Sequence, residues 1–164
     1  MSEEQAATTT QEEPQFVIER IYLKDVSFES PNSPTVFTKE WTPDTNLQLN
    51  TQVNPLSDGH FEVELMITIT VKSNDETAFL VEVTQAGVFK ITGYPPEQLN
   101  HLLASYCPSN LFPYAREAIA SLISKGSFPE MHLSPINFDA LYAQRQAEEA
   151  AQAQAGADGG SAEA

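Results

Sequence analysis

Few residues of this chain stand in the patterns that covalent or metal chemistry requires. The three histidines, His60, His101 and His132, fall by local pattern in a strand, a helix and a loop, and none has a partner four residues away, so the spacing of a zinc site is missing. The single cysteine, Cys107, directly precedes Pro108. It has no evident histidine partner or helix start to lower its pKa, as a nucleophilic thiol needs. No GxSxG, no GxGxxG and no GxxxxGK followed by Ser or Thr occurs, so there is neither a strained serine turn nor a phosphate cradle. The carboxylates leave two readings. Glu62 and Glu64 share one side of a strand and could be drawn as a general acid and base, but any solvated strand face gives the same spacing, and a solvated face is the expectation. Asp25 and Glu29 lie four apart in an extended segment, hence on one side and about 13 Å apart. Leu80 shares a strand face with Glu82, and an apolar residue among acids is the mixture of a protein interface. The chemistry expected is binding rather than turnover, with no catalytic residue, metal or cofactor.

Composition limits the partner. The 164 residues are 41% hydrophobic and 19% charged, enough for one domain with a sizeable core. Against 8 Lys and Arg stand 23 Asp and Glu, a net charge of -15. Nucleic acid and anionic membrane surfaces are thereby excluded, because both need a basic run to displace counterions. Solubility alone accounts for an acidic surface; a basic protein partner is the other reading. Met1 to Pro14 lacks the basic and apolar regions of a signal peptide, nowhere do 18 apolar residues run together, and one cysteine cannot form an internal disulfide. A cytoplasmic location is expected. Residues 1–14 read as an acidic disordered tail of charge -4 and 143–164 as a helix end with a disordered acidic, Ala-rich tail of charge -3, which leaves -8 for the domain at 15–142.

The elements that must position these residues follow from periodicity. Gln15 to Glu29 has no Gly or Pro and an imperfect alternation, the mark of a long strand that is bent or bulged. Ser30 to Pro34 breaks it, and Phe37 and Trp41 follow on irregular backbone before a short strand with Leu47 and Leu49. A turn at Ser57-Asp58-Gly59 opens the cleanest alternation, Phe61 to Val71, a half-buried antiparallel strand. Asn74-Asp75-Glu76 turns into a further strand with Phe79, Val81, Val83, Phe89 and Ile91 on one parity. Pro95-Pro96 starts a helix whose stripe of Leu99, Leu102, Leu103 and Tyr106 ends at Pro108. A second segment carries Phe112, Ala115, Ile119, Leu122 and Ile123, so one kinked or two-piece helix is expected, with Gly126 as a left-handed stop. Asn137 caps a final helix through Phe138, Leu141 and Tyr142, which then dissolves into the tail.

Five stretches in order resemble one family. Ile21 to Pro31 (IYLKDVSFESP) is similar to the opening strand of SecB, the bacterial protein-export chaperone; Glu76 to Val83 (ETAFLVEV) is similar to its fourth strand, and Tyr106 to Glu117 (YCPSNLFPYARE) to its helix signature. Gly126 to Pro129 (GSFP) and Pro135 to Tyr142 (PINFDALY) complete the series, and the likeness runs from about Phe16 to Tyr142.

The resemblance implies an α+β fold, a four-stranded antiparallel sheet with helices packed on one side, assembled as a homotetramer built from two dimers. It implies an ATP-independent chaperone that holds non-native precursor proteins in a translocation-competent state and delivers them to SecA, the motor ATPase of the Sec translocase. Asp25, Glu29, Leu80 and Glu82 match the acidic patch that receives the zinc-containing C-terminal segment of SecA, the zinc belonging to the partner. Phe37, Trp41, Leu47, Leu49 and Tyr142 fall where the family lines its apolar client grooves, with ordinary core packing as the alternative for each. Relatives of this fold also serve toxin-antitoxin systems as antitoxin chaperones, the alternative function. Where family members often carry adjacent glycines, Gln85 is followed by Ala86 and Gly87.

Overall fold

A computed structural model describes residues 12–158. Four strands, β1 (Gln15–Glu29), β2 (Pro43–Pro55), β3 (His60–Ser73) and β4 (Glu76–Thr92), form one antiparallel sheet in the order β1-β4-β3-β2. Strand β2 is 13 residues long rather than short, and it pairs with β3 along its whole length. The two hairpins turn on Asp58-Gly59 and Asn74-Asp75. All four residues have positive φ, the conformation these turns demand and these residue types tolerate.

One face of the sheet is apolar. Val63, Leu65, Ile67, Ile69 and Val71 of β3 and Phe79, Val81, Val83, Phe89 and Ile91 of β4 are buried beneath the helices. Strand β1 keeps its apolar side chains on that face only because it carries two bulges, one between Ile18 and Arg20 and one between Leu23 and Asp25. Each extra residue resets the side-chain alternation.

Helix α1 (Pro96–His101) passes without a stop through a π-helical turn (Leu102–Tyr106) into α2 (Cys107–Lys125). The amide of Cys107 donates to the Leu102 carbonyl, a wider spacing than in an α-helix. That widening lets Pro108, which has no N–H to donate, sit inside a continuous helical run, so the expected end at Pro108 does not occur. Leu111, Ala115, Ile119 and Ile123 are buried in the core with the sheet, and Phe112 meets Phe138 edge to face.

Gly126 ends α2 for a reason other than the one expected. Its φ is -78°, and Ser127 takes the left-handed conformation instead, at 63°. A side chain at Gly126 would overlap the Phe28 ring, so glycine is required there by close packing. Helix α3 runs from Phe138 to Asp158 rather than dissolving after Tyr142. Of the tails expected at 1–14 and 143–164, residues 1–11 and 159–164 lie outside the described residues.

Candidate functional site

The solvent face of the sheet brings the four expected patch residues together. Asp25, Ser27 and Glu29 of β1 lie opposite Thr84, Glu82 and Leu80 of β4, which in turn lie opposite Met66, Thr68 and Thr70 of β3. Asp25, Glu29 and Glu82 are exposed and Leu80 half-buried. Ser27 Oγ stands 3.5 Å from Glu82 Oε2. Glu29 and Glu82 thus flank Leu80 on the sheet, with Asp25 farther along the same face opposite Thr84, and threonines pave the surface beside them. Such a patch attracts a basic segment and offers it one apolar anchor.

Farther along the same face, Glu62 and Glu64 are not solvated as expected. Glu64 is 7% exposed and Glu62 half-buried. Lys24 reaches both, 2.9 Å from Glu62 Oε1 and 2.6 Å from Glu64 Oε1. Asn54 Nδ2 donates to both carboxylates at 2.9 and 3.2 Å, and the Tyr22 hydroxyl donates to Glu62. These hydrogen bonds, led by Tyr22 and then Lys24 and Asn54, hold the Glu62 carboxyl down at about 2. Burial and the bond to Glu62 push the Tyr22 phenol up to about 12. A carboxylate this firmly ionised is no general acid near neutral pH.

The expected groove residues divide between two places. Phe37 and Trp41 pack on Phe128 with ring centroids 5.2 and 5.8 Å away, yet Phe37 remains 50% and Trp41 36% exposed. Their loop is lashed to the β3–β4 hairpin: the Thr42 amide donates to Ser73 Oγ at 3.0 Å, Asn74 Nδ2 to the Glu40 carbonyl at 2.9 Å and Asn32 Nδ2 to the Thr77 carbonyl at 2.9 Å. Leu47 is 42% exposed on the helix side of edge strand β2. Leu49 packs partly against the core and meets Tyr142 and Leu141 of α3 in one cleft.

Tyr142 is set by the start of α3. Asn137 Oδ1 accepts from the Ala140 amide at 3.0 Å, the expected cap. Asp139 accepts from Ser105 Oγ and from His101 Nε2 at 2.8 Å, and these bonds, Ser105 first, lower its pKa. The His101 and Tyr142 rings meet edge to face. An adjoining cleft of about 480 Å³ is lined by Val53, Phe61, Leu99, Leu103 and Tyr142. Sequence reasoning missed Phe128, the shared floor of Phe37 and Trp41, as well as Val53 and Phe61. Its motif Gly126 to Pro129 contained the first, and the inner parity of β2 and β3 the others. A further cleft of about 680 Å³ lies between α2 and the segment at 130–138, away from the expected patch and groove residues.

His60, His101 and His132 stand apart, each beside one carboxylate. Cys107 is buried in mid-run, and burial pushes its thiol up to about 12. The folded protein is therefore expected to resist iodoacetamide at pH 8 and to react promptly in denaturant; rapid labelling of the native chain, followed by mass spectrometry, would contradict the burial.

The family model of the preprotein translocase subunit SecB matches residues 9–149. The protein-export protein SecB of Thioalkalivibrio sulfidiphilus is 58% identical over 148 residues, covering 90% of this chain and 88% of the relative. That of Methylococcus capsulatus is 55% identical over 145 residues, with 88% and 91% covered, and that of Marinobacter nauticus 52% over 153, with 92% and 93% covered. Among solved structures, a Mycobacterium tuberculosis SecB-like chaperone bound to a peptide of the HigA1 antitoxin superposes with a TM-score of 0.58 at 18% identity, covering 74% of this chain and 90% of that one, a likeness of fold. Matched over most of its length by the family model and by these three relatives, the chain belongs to the SecB family of protein-export chaperones.

Proposed function

We propose that this protein holds non-native precursor polypeptides in the cytoplasm, without nucleotide and without catalysing a reaction, and delivers them to SecA. The single observation that carries the reading is the division of the surface into an exposed apolar strip and a separate acidic sheet face. Phe37, Trp41, Leu47, Leu49 and Tyr142 are the client-facing side chains in this reading. Apolar burial yields about 25 cal/mol per Å² whatever the client sequence, and a folded client has already hidden that surface. Asp25, Glu29, Leu80 and Glu82 receive the zinc-containing C-terminal segment of SecA. With no nucleotide cycle, release follows from competition by a second partner, and two separate surfaces let client and motor bind together.

A homotetramer built from two dimers belongs to the same proposal. Edge strand β1 exposes Val17, Ile18, Leu23 and Val26, and a bare apolar edge is a liability unless a partner covers it. Several grooves on one assembly add avidity for a long chain. Relatives at 52–58% identity named as protein-export proteins favour export over antitoxin chaperoning, to which an 18% identical fold neighbour points.

The test is binding of a slow-folding precursor, presented either freshly diluted from denaturant or fully folded, in the absence of nucleotide. Tight binding of the non-native form alone is expected. Binding of neither form, or of the folded form only, would overturn the reading.

A further inference from the structure

We propose that Lys24 is a positioning residue for the acidic face: by tying the second β1 bulge to β3 across β4, it turns Asp25 and Glu29 outward beside Glu82. The inference rests on the reading of that face as the SecA dock.

The alternation of β1 carries the first step. Phe16 and Ile18 lie opposite the inward Ile91 and Phe89, Ile21 and Leu23 opposite Gly87 and Gln85, and Val26 and Phe28 opposite the inward Val83 and Val81. The inward parity is even, then odd, then even again. Continued from Leu23 without the extra residue, it would point Asp25, Ser27 and Glu29 toward the helices and Val26 and Phe28 to solvent. The acidic face therefore exists only while the bulge at Lys24 holds its register.

Nothing in the local backbone demands a bulge there. Neither Leu23, Lys24 nor Asp25 is a glycine, and none has positive φ. The hold is tertiary. Lys24 spans β4 at Ala86, whose small side chain lies between Tyr22 on β1 and Glu64 on β3 in the register. Its ammonium meets Glu62 and Glu64 at 2.9 and 2.6 Å, with Tyr22 and the β2 residue Asn54 completing the carboxylates' partners. Those carboxyl side chains are only 15% and 9% exposed, so losing their cation strands buried negative charge and the contact cannot be given up lightly. The first bulge repeats the device: its extra residue, Glu19, reaches across to His60 at the start of β3, 3.2 Å from Nε2.

Charge and position make opposite predictions, which gives the test its sign. Lys24→Met removes a cation from an acidic face, so on electrostatics alone a basic partner binds more tightly. As a positioning residue, its loss weakens binding. The measurement is the affinity of the zinc-loaded C-terminal peptide of SecA for the full-length protein. Lys24→Met is expected to weaken it about fivefold, Lys24→Arg to retain it, and Lys24→Met to add nothing in a background that already carries Asp25→Asn and Glu29→Gln. Should stranded carboxylates unfold the single variant, Lys24→Met with Glu64→Gln removes the tether at unchanged net charge and leaves Glu62 to Tyr22 and Asn54, so charge alone predicts no change while the same loss is expected from position. Unchanged or tighter binding by the variant that folds, while Glu82→Lys still weakens it, overturns the role of Lys24 alone. Indifference of the peptide to Glu82→Lys overturns the docking reading itself.

Discussion

Glu82→Lys is expected to weaken binding of the SecA C-terminal segment by about 2 kcal/mol, roughly thirtyfold, while the grip on a non-native client stays within about twofold. Glu82 is exposed at the centre of the acidic face, with Ser27 and Leu80 around it and Asp25 and Glu29 on the neighbouring strand. The substitution therefore does more than delete an attraction. It places a cation where the partner brings its own. Because the side chain points away from the buried face of β4, the fold has little reason to change, and the urea midpoint should be nearly that of the parent. The affinity difference should shrink as salt is raised, since exposed charges are screened over about 10 Å at 0.1 M. Equal affinity of parent and variant in low salt, by calorimetry, would remove Glu82 from the dock and with it the argument for the whole face.

How much of this was legible in the residues differs from element to element. The β3–β4 hairpin was plain, because one-sided burial imposes a period of two and Asn74-Asp75 tolerates the positive φ of its turn. The long β1 was visible, but the bulges that interrupt its alternation depend on partners 38 to 41 positions away in the chain, at His60 and Glu62, which no local pattern displays. Glu62 and Glu64 were misread for the same reason. Two residues apart on a strand with threonines, they look solvated until β1 brings Lys24 over them. Gly126 shows a third kind of failure: a glycine at a helix end suggests the left-handed conformation, whereas here a ring from β1 demands the space. The acidic patch was readable from its residue types and from the family resemblance together; neither its exposure nor the packing of the aromatics could be had from spacing.

The residue that spacing concealed most fully, Phe128, carries the second large effect. Phe128→Ala is expected to cost about 3–5 kcal/mol of stability, the usual range for emptying a buried phenylalanine site. Four rings lean on it: Phe79 at 4.8 Å between centroids, Phe37 at 5.2 Å, Trp41 at 5.8 Å and Phe28 at 6.4 Å. Two of these belong to the sheet core and two to the exposed strip, so Phe128 joins the packed interior to the surface proposed to take clients. The contrast with Phe37→Ala separates the two roles. Phe37 is half exposed, and its loss should cost at most about 1 kcal/mol of stability while weakening client binding about as much as Phe128→Ala does. Trp41, the sole tryptophan, reports on both without a label. Its emission should shift to longer wavelength in folded Phe128→Ala, where the ring loses its floor, and should shift to shorter wavelength in the parent when a non-native client covers it. Urea unfolding and client titration followed by that emission decide the matter. A Phe128→Ala protein as stable as the parent, with unshifted emission, would mean that the cluster does not organise this end of the groove.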